Sequence, residues 1–126
     1  MLMYNDKTME HFRNPRNVGE IDDADGVGQA GDPDTGDVMR LYIRVAGGRI
    51  IDAKHQTFGN AIAIAASSVS SLMVIGKTLQ EAYMVSKEDV SDALDGIPPD
   101  KMNCSNMAPD AIRAAIDDYR SRQDPV

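Results

Sequence analysis

The chain has few of the residues that cross-link small proteins or bind soft metals. It has one cysteine, Cys104, no tryptophan, two phenylalanines, and 13 basic residues against 20 acidic ones. A single thiol excludes an intramolecular disulfide, and it excludes a metal site that needs two thiolates from one chain. The formal net charge of -7 argues against nucleic acid or an anionic membrane as a partner, because both attract basic surfaces.

Long hydrophobic runs are also missing. The longest apolar segment, residues 61–75, contains four serines and is shorter than the ~20 residues that span a bilayer. The first twelve residues include Asp6 and Glu10 and lack the apolar run of a secretory signal. We therefore expect a cytoplasmic protein of one domain, residues 1–126, with an aliphatic core and a frayed tail at about 121–126.

The clearest strand pattern follows an acidic turn in GDPDTGDVMRLYIRV, residues 31–45. Met39, Leu41, Ile43 and Val45 alternate with polar side chains, which predicts a strand with one buried face. The Gly47-Gly48 pair then predicts a hairpin turn into an antiparallel strand over residues 50–58. The glycine-rich residues before the acidic turn predict an irregular edge strand near residues 27–30. Together these patterns predict a small antiparallel sheet of three strands.

Capping residues mark the predicted helices. Asn5 precedes a helix over residues 6–13, in which Met9 and Phe12 share a face, and Asn60 precedes a helix that ends before Gly76. The apolar positions of this second helix recur at three- and four-residue steps and are predicted to pack on the sheet: Ile62, Ala65, Ala66, Val69, Leu72 and Met73. Two capping boxes, Thr78-x-x-Glu81 and Ser86-x-x-Asp89, predict short helices. The last helix is predicted from Pro109, with Ile112, Ala115, Ile116 and Tyr119 on its buried side.

The acidic turn does not have the register of a calcium loop. With Asp32 as the first ligand of an EF-hand, Asp37 takes the place of the required glycine and Ile43 that of the bidentate glutamate. We expect Asp32 and Asp34 to make turn hydrogen bonds in solvent. The role of Asp37 is open at this point.

The histidines and the cysteine offer three further candidate groups. Neither histidine has a second ligand at metal-binding spacing, so we expect His11 on the surface and His55 as a hydrogen-bonded core imidazole. Cys104 lies in Asn103-Cys104-Ser105-Asn106, before a helix start, where backbone N–H groups can lower a thiol pKa. A nucleophile, a sulfur carrier, a metal ligand and a small buried hydrophobe are all compatible with this setting.

Four segments together resemble one known family. They are HFRNPRNVGEIDDADGVG, GDPDTGDVMRLYIRV, TFGNAIAIAASS and IPPDKMNCSNMAPDAIRAAIDDYRS, and in this order and spacing they resemble the IscU/NifU N-terminal family of iron-sulfur cluster assembly scaffolds. The resemblance covers about residues 4–122. It implies an α+β fold with a three-stranded antiparallel sheet and helices packed mainly on one face. It also implies that sulfur comes from a cysteine desulfurase and that a [2Fe-2S] cluster is passed to acceptor proteins with chaperone help.

The resemblance implies a cluster site formed by three loops at one end of the sheet. The family's ligand positions correspond to Thr35, Asn60, Asn103 and Cys104, and Asp37 corresponds to the acid that influences how labile the cluster is. Three of the four ligand positions are therefore substituted, and Cys104 and Asp37 remain as candidate iron or cluster contacts. A neutral hydroxyl or amide is a poor ligand for iron-sulfur centres, so we expect the cofactor to be weakly bound or absent.

The leading hypothesis is a scaffold-type binding protein, not an enzyme, with a degenerate ligand set. The expected partners are a cysteine desulfurase, iron-sulfur acceptor proteins and an Hsp70-type chaperone. The chaperone would bind Ile97-Pro98-Pro99-Asp100-Lys101, where the charged Asp100 weakens a mostly apolar motif. One variant is a cluster bridged between two chains through Cys104. The alternatives are a clusterless decoy of a desulfurase or acceptor, and a repurposed small-ligand pocket lined by the substituted positions.

Overall fold

The structure is a computed structural model that describes residues 4–32, 34, 36–99 and 106–123. Its sheet has three antiparallel strands in the order β1 (Gly26–Asp32), β2 (Asp37–Ala46) and β3 (Arg49–Phe58). The described helices are α1 (Asp6–Arg13), α2 (Ala61–Val74), α3 (Leu79–Tyr83), α4 (Lys87–Ala93) and α5 (Met107–Gln123). The predicted α+β architecture is confirmed, with β1 as an edge strand that is longer than expected. None of the helices in the described part of the chain is long and apolar enough to cross a membrane.

One face of the central strand β2 is buried in the hydrophobic core. Met39, Leu41 and Ile43 are fully buried, as the alternation predicts. The pairing with β3 shifts register between Arg44 and Val45, and beyond this bulge Val45 is only half-buried. Tyr42, on the face predicted to be solvated, is only 8% exposed and its hydroxyl donates to Gln56 Oε1 at 2.8 Å.

Helix α2 is buried around more of its circumference than its apolar positions predict. Its apolar face lies in the core, but Leu72 is 46% exposed, so its predicted packing on the sheet is wrong. Four serines are buried instead: Ser67, Ser68, Ser70 and Ser71. The reason is that α2 is covered on several sides: α1 packs against it with His11 at Ser68, Thr57 of β3 bonds Ser67, and Asn17 bonds Ser71.

The helix ends follow their capping residues. Asn5 accepts the N–H of Thr8, Asn60 accepts the N–H of Ala63, and both capping boxes close as predicted. Helix α5 begins at Met107, two residues before the predicted start, because Pro109 is tolerated anywhere in the first turn. At its other end α5 is helical to Gln123, so the frayed tail predicted from residue 121 is wrong over 121–123. Arg122 secures this turn by pairing with Asp118 and donating to the Ala24 carbonyl.

Helix α5 lies across β1 in the opposite direction. A Cβ on Gly26 would touch Ala115 and Tyr119, whereas a Cβ on Gly28 would touch Ala111 and Ala115. The contacts therefore move toward the start of α5 as β1 proceeds. This places the N-terminal end of α5 at the end of the sheet where β1 finishes.

Candidate functional site

The described elements that flank the candidate ligands lie at one end of the sheet. The β1–β2 turn lies here because Asp32 pairs with Asp37, and the β3–α2 loop lies here because Phe58 pairs with Val38. The antiparallel course of α5 brings its N-terminal end, which follows Asn103 and Cys104 in sequence, to the same end. These positions agree with the convergence that the family resemblance implies, and the meeting of the candidate ligands themselves stays a prediction.

Asp37 contacts the β3–α2 loop directly. A Cβ on Gly59 would lie 3.1 Å from Asp37 Oδ1 and 2.8 Å from the Cβ of Ala63, so only glycine fits between them. The first turn of α2 has no acidic residue of its own. The carboxylate of Asp37 thus supplies negative charge beside a helix N-terminus, where charge of this sign is favourable.

Asn60 has a structural partner that fits its residue type. Its side chain is exposed and its Oδ1 accepts the N–H of Ala63 at 2.9 Å, which caps α2. The oxygen is the better ligand atom of an amide, and here the helix already uses it.

Several predicted site residues lie outside the described part of the chain: Thr35, Asn103, Cys104 and, in the chaperone segment, Asp100 and Lys101. At the start of that segment, Ile97 is 7% exposed and its N–H donates to Ser91 Oγ at 2.9 Å. No group of three His, Cys, Asp or Glu side chains that could hold a metal occurs among the residues that are described.

His55 is the core imidazole that the sequence predicts. It is 1% exposed, its Nε2 donates to the carbonyl of Arg16 at 2.8 Å, and its Nδ1 lies 3.1 Å from Thr57 Oγ1. Thr57 in turn bonds Ser67 on α2 at 2.8 Å. The imidazole therefore links β3 to the loop after α1 and, through Thr57, to α2.

His11 was predicted on the surface, and this is wrong. The side chain is 7% exposed and its Nδ1 lies 2.7 Å from Ser68 Oγ, which also accepts the N–H of Arg16 at 2.8 Å. The buried side chains of α1 are Thr8 and His11. Ser67, Ser70 and Ser71 donate to carbonyls of α2 itself, so the serine run of α2 gave no clear signal that His11 packs against it.

Stability should fall as the pH is lowered through about 6.5 because of these histidines. Burial lowers the pKa of His55 below its ordinary 6.5, against a smaller opposing effect of its bond to Arg16. The unfolded chain then binds the proton first as pH falls, so the contribution of His55 is complete above its unfolded pKa and is lost below it. The slope for one such group is at most about 1.4 kcal/mol per pH unit. Urea denaturation above and below this pH measures it.

The control for this pH dependence is His55→Gln, which removes the titrating group and keeps a side chain able to donate to Arg16. We expect its slope to be smaller and not zero, because burial also lowers the pKa of His11. A slope equal to that of the unchanged chain would contradict the assignment to His55.

The sequence places this chain among iron-sulfur assembly proteins. Residues 3–125 match the family described as NifU-like N terminal domain. The iron-sulfur cluster assembly scaffold protein IscU 1 of Archaeoglobus fulgidus is 56% identical over 117 residues, which cover 93% of this chain and 76% of that protein. The scaffold protein IscU of Escherichia coli is 44% identical over 127 residues, 98% of each chain. A relative from Drosophila melanogaster, 45% identical over 98% of this chain and 82% of its own length, is named an assembly enzyme.

Solved structures agree on the fold. A protein assigned as a scaffold of the SUF system in Fervidobacterium islandicum matches with a TM-score of 0.77 and 24% identity, covering 90% of this chain and 96% of that one. The N-terminal part of a NifU-like protein from Brucella abortus matches with a TM-score of 0.77 and 19% identity over 94% of each chain. The three-stranded sheet, the order of the helices and the sequence identity lead to one conclusion: this chain belongs to the IscU/NifU N-terminal family of iron-sulfur cluster assembly scaffolds.

Proposed function

We propose that this chain is a scaffold-type protein of iron-sulfur cluster assembly with a degenerate ligand set. It binds a cysteine desulfurase and acceptor proteins in the cytoplasm and accepts sulfur at Cys104, but it holds no ordinary [2Fe-2S] cluster alone. An Hsp70-type chaperone binds weakly through its Ile-Pro-Pro-Asp-Lys segment. Family membership supports the scaffold role, and the residues at the ligand positions support the loss of the cluster.

The observation that supports the proposal most directly is the residue type of Asn60 and the hydrogen bond that its side chain makes. At a position where the family resemblance implies a thiolate, the chain has an amide whose oxygen caps a helix at 2.9 Å. With Thr35 and Asn103 also neutral, one thiolate and one carboxylate remain, and these do not complete a four-ligand cluster site. The donor set therefore does not fit the cluster, whereas Asp37 still packs close to Gly59.

Cys104 is sufficient for sulfur transfer, which needs one thiolate. Its sulfur attacks the terminal sulfur of a persulfide on the desulfurase, the S–S bond breaks, and the desulfurase thiolate leaves. Cys104 becomes the persulfide with no net oxidation. In this role the chain acts as an acceptor and a binding protein, not as an enzyme.

Anaerobic incubation with ferrous iron, cysteine and a cysteine desulfurase tests both the absence of an ordinary cluster and the transfer of sulfur to Cys104. After gel filtration we expect iron and acid-labile sulfide far below one cluster per chain, and a persulfide on Cys104 that is absent from Cys104→Ser. A stable, stoichiometric cluster on the monomer would overturn the degenerate-site proposal. A cluster that elutes with a dimer and is lost in Cys104→Ser would show bridging between two chains. Binding to the desulfurase without persulfide on Cys104 would favour the decoy function.

A further inference from the structure

A groove lies between the C-terminal end of α2 and the short helices α3 and α4. It has a volume of about 680 Å³, and its apolar lining consists of Met73, Met84 and Val85. The groove is separate from the cluster-site end of the molecule, because Asn60 and Met73 lie near opposite ends of α2, about 20 Å apart along a helix. Nothing in the proposed cluster chemistry uses it.

The apolar part of the groove is accessible. Met84 is 72% exposed, which is high for a large hydrophobic side chain, and Met73 is half-buried beside it. Methionine is unbranched and polarizable, so it adapts to apolar side chains of different shape. An exposed methionine in a concave surface is typical of a site that receives an apolar side chain of another molecule.

The rim of the groove is acidic and its geometry is fixed. Glu81, Asp89 and Asp92 are exposed and form no salt bridge in the described part of the chain, although Arg49 and Lys77 lie close enough to Glu81 to help lower its pKa. The carboxylates of Glu81 and Asp89 are held by capping bonds to the N–H groups of Thr78 at 2.9 Å and Ser86 at 3.0 Å. The bond from Thr78 also lowers the pKa of Glu81, so this carboxylate is ionised at neutral pH.

We propose that this groove binds a basic amphipathic helix of a partner protein. An apolar side chain of the helix lies on Met73 and Met84, and its lysines or arginines lie over the acidic rim, where Lys77 is the one basic residue among the described lining residues. Charge complementarity selects this occupant. A second copy of this chain is disfavoured because its net charge is -7.

Methionine-methyl NMR during titration with a synthetic helical peptide of leucines and lysines tests the proposal. We expect the Met73 and Met84 methyl signals to shift with this peptide and not with its leucine-glutamate counterpart. Both Met84→Ser and Asp92→Lys should weaken binding by about tenfold, which corresponds to ~1.4 kcal/mol. Neither change removes a buried side chain or a capping bond, so the fold should persist.

Matched controls distinguish binding in the groove from non-specific attraction of the peptide to the acidic surface. Ile51→Ser removes another exposed apolar side chain, 52% exposed on β3, and Glu88→Lys makes the same charge change on α4 outside the groove. Both should bind as the unchanged chain does. Equal weakening by Glu88→Lys and Asp92→Lys would overturn the proposal in favour of diffuse attraction. Methyl shifts that depend on protein concentration without peptide would instead identify a second copy as the occupant.

Discussion

Changing Thr35→Cys, Asn60→Cys and Asn103→His together should give a chain that holds a stable [2Fe-2S] cluster in stoichiometric amount. With Cys104 these side chains form a set of thiolates and one imidazole, the ligand types that bind iron-sulfur clusters. The described surroundings are already suitable, because Asp37 at the start of β2 packs close to Gly59, which precedes the cap of α2. Iron, sulfide and the visible absorption spectrum after anaerobic reconstitution measure the result.

The control for this gain is the triple change Thr35→Ser, Asn60→Ser and Asn103→Gln, which keeps side chains of similar polarity. Serine caps a helix about as well as asparagine, so this chain should fold and hold no cluster. Loss of the asparagine cap in the thiolate variant costs about 1 kcal/mol, which circular dichroism and urea denaturation will show. A folded thiolate variant without a cluster would mean that more than the ligands was lost.

Gly28→Ala should produce a large loss of stability. An added Cβ would lie 2.2 Å from the Ala115 nitrogen and 2.5 Å from the Ala111 carbonyl oxygen. Both are backbone atoms of α5, so no side-chain rotation relieves the overlap, and α5 must move away from β1. We expect the free energy of unfolding to fall by about 3 kcal/mol, at the upper end of ordinary overpacking. Urea denaturation measures it.

Gly48→Ala is the control for this crowding. Its Cβ would meet nothing within 4 Å, but Gly48 has a φ of +75°, so the change adds backbone strain without overlap. That strain costs about 1 kcal/mol. Losses of equal size in the two variants would contradict the proposed contact between β1 and α5.

Much of the fold follows from short-range patterns. The alternation from Met39 to Ile43 defines the buried face of β2, and the two glycines after Ala46 adopt the positive φ values that a two-residue hairpin requires. Asn5, Asn60 and the two capping boxes fix the starts of four helices. These features depend on residues within a few positions of each other, so the sequence contains the information that determines them.

The candidate site is predictable in part. Resemblance to the family predicts which positions correspond to cluster ligands and which of them are substituted, because residue type at a matched position is read from the sequence alone. The contact of Asp37 with Gly59 and the hydrogen bond that occupies the amide oxygen of Asn60 needed the structure. In the sequence, the only link between residues 37 and 59 is the pairing of β2 with β3, which places the start of β2 beside the end of β3.

The sequence by itself determined the strands, the caps and the polarity of each candidate ligand position in this protein. Only the tertiary structure decided that His11 is buried, that Leu72 is exposed, and that α5 continues to Gln123. The physical reason is the same in each case. Burial depends on which distant element covers a side chain: His11 of α1 packs against Ser68 of α2, and Ala24 accepts a hydrogen bond from the last turn of α5.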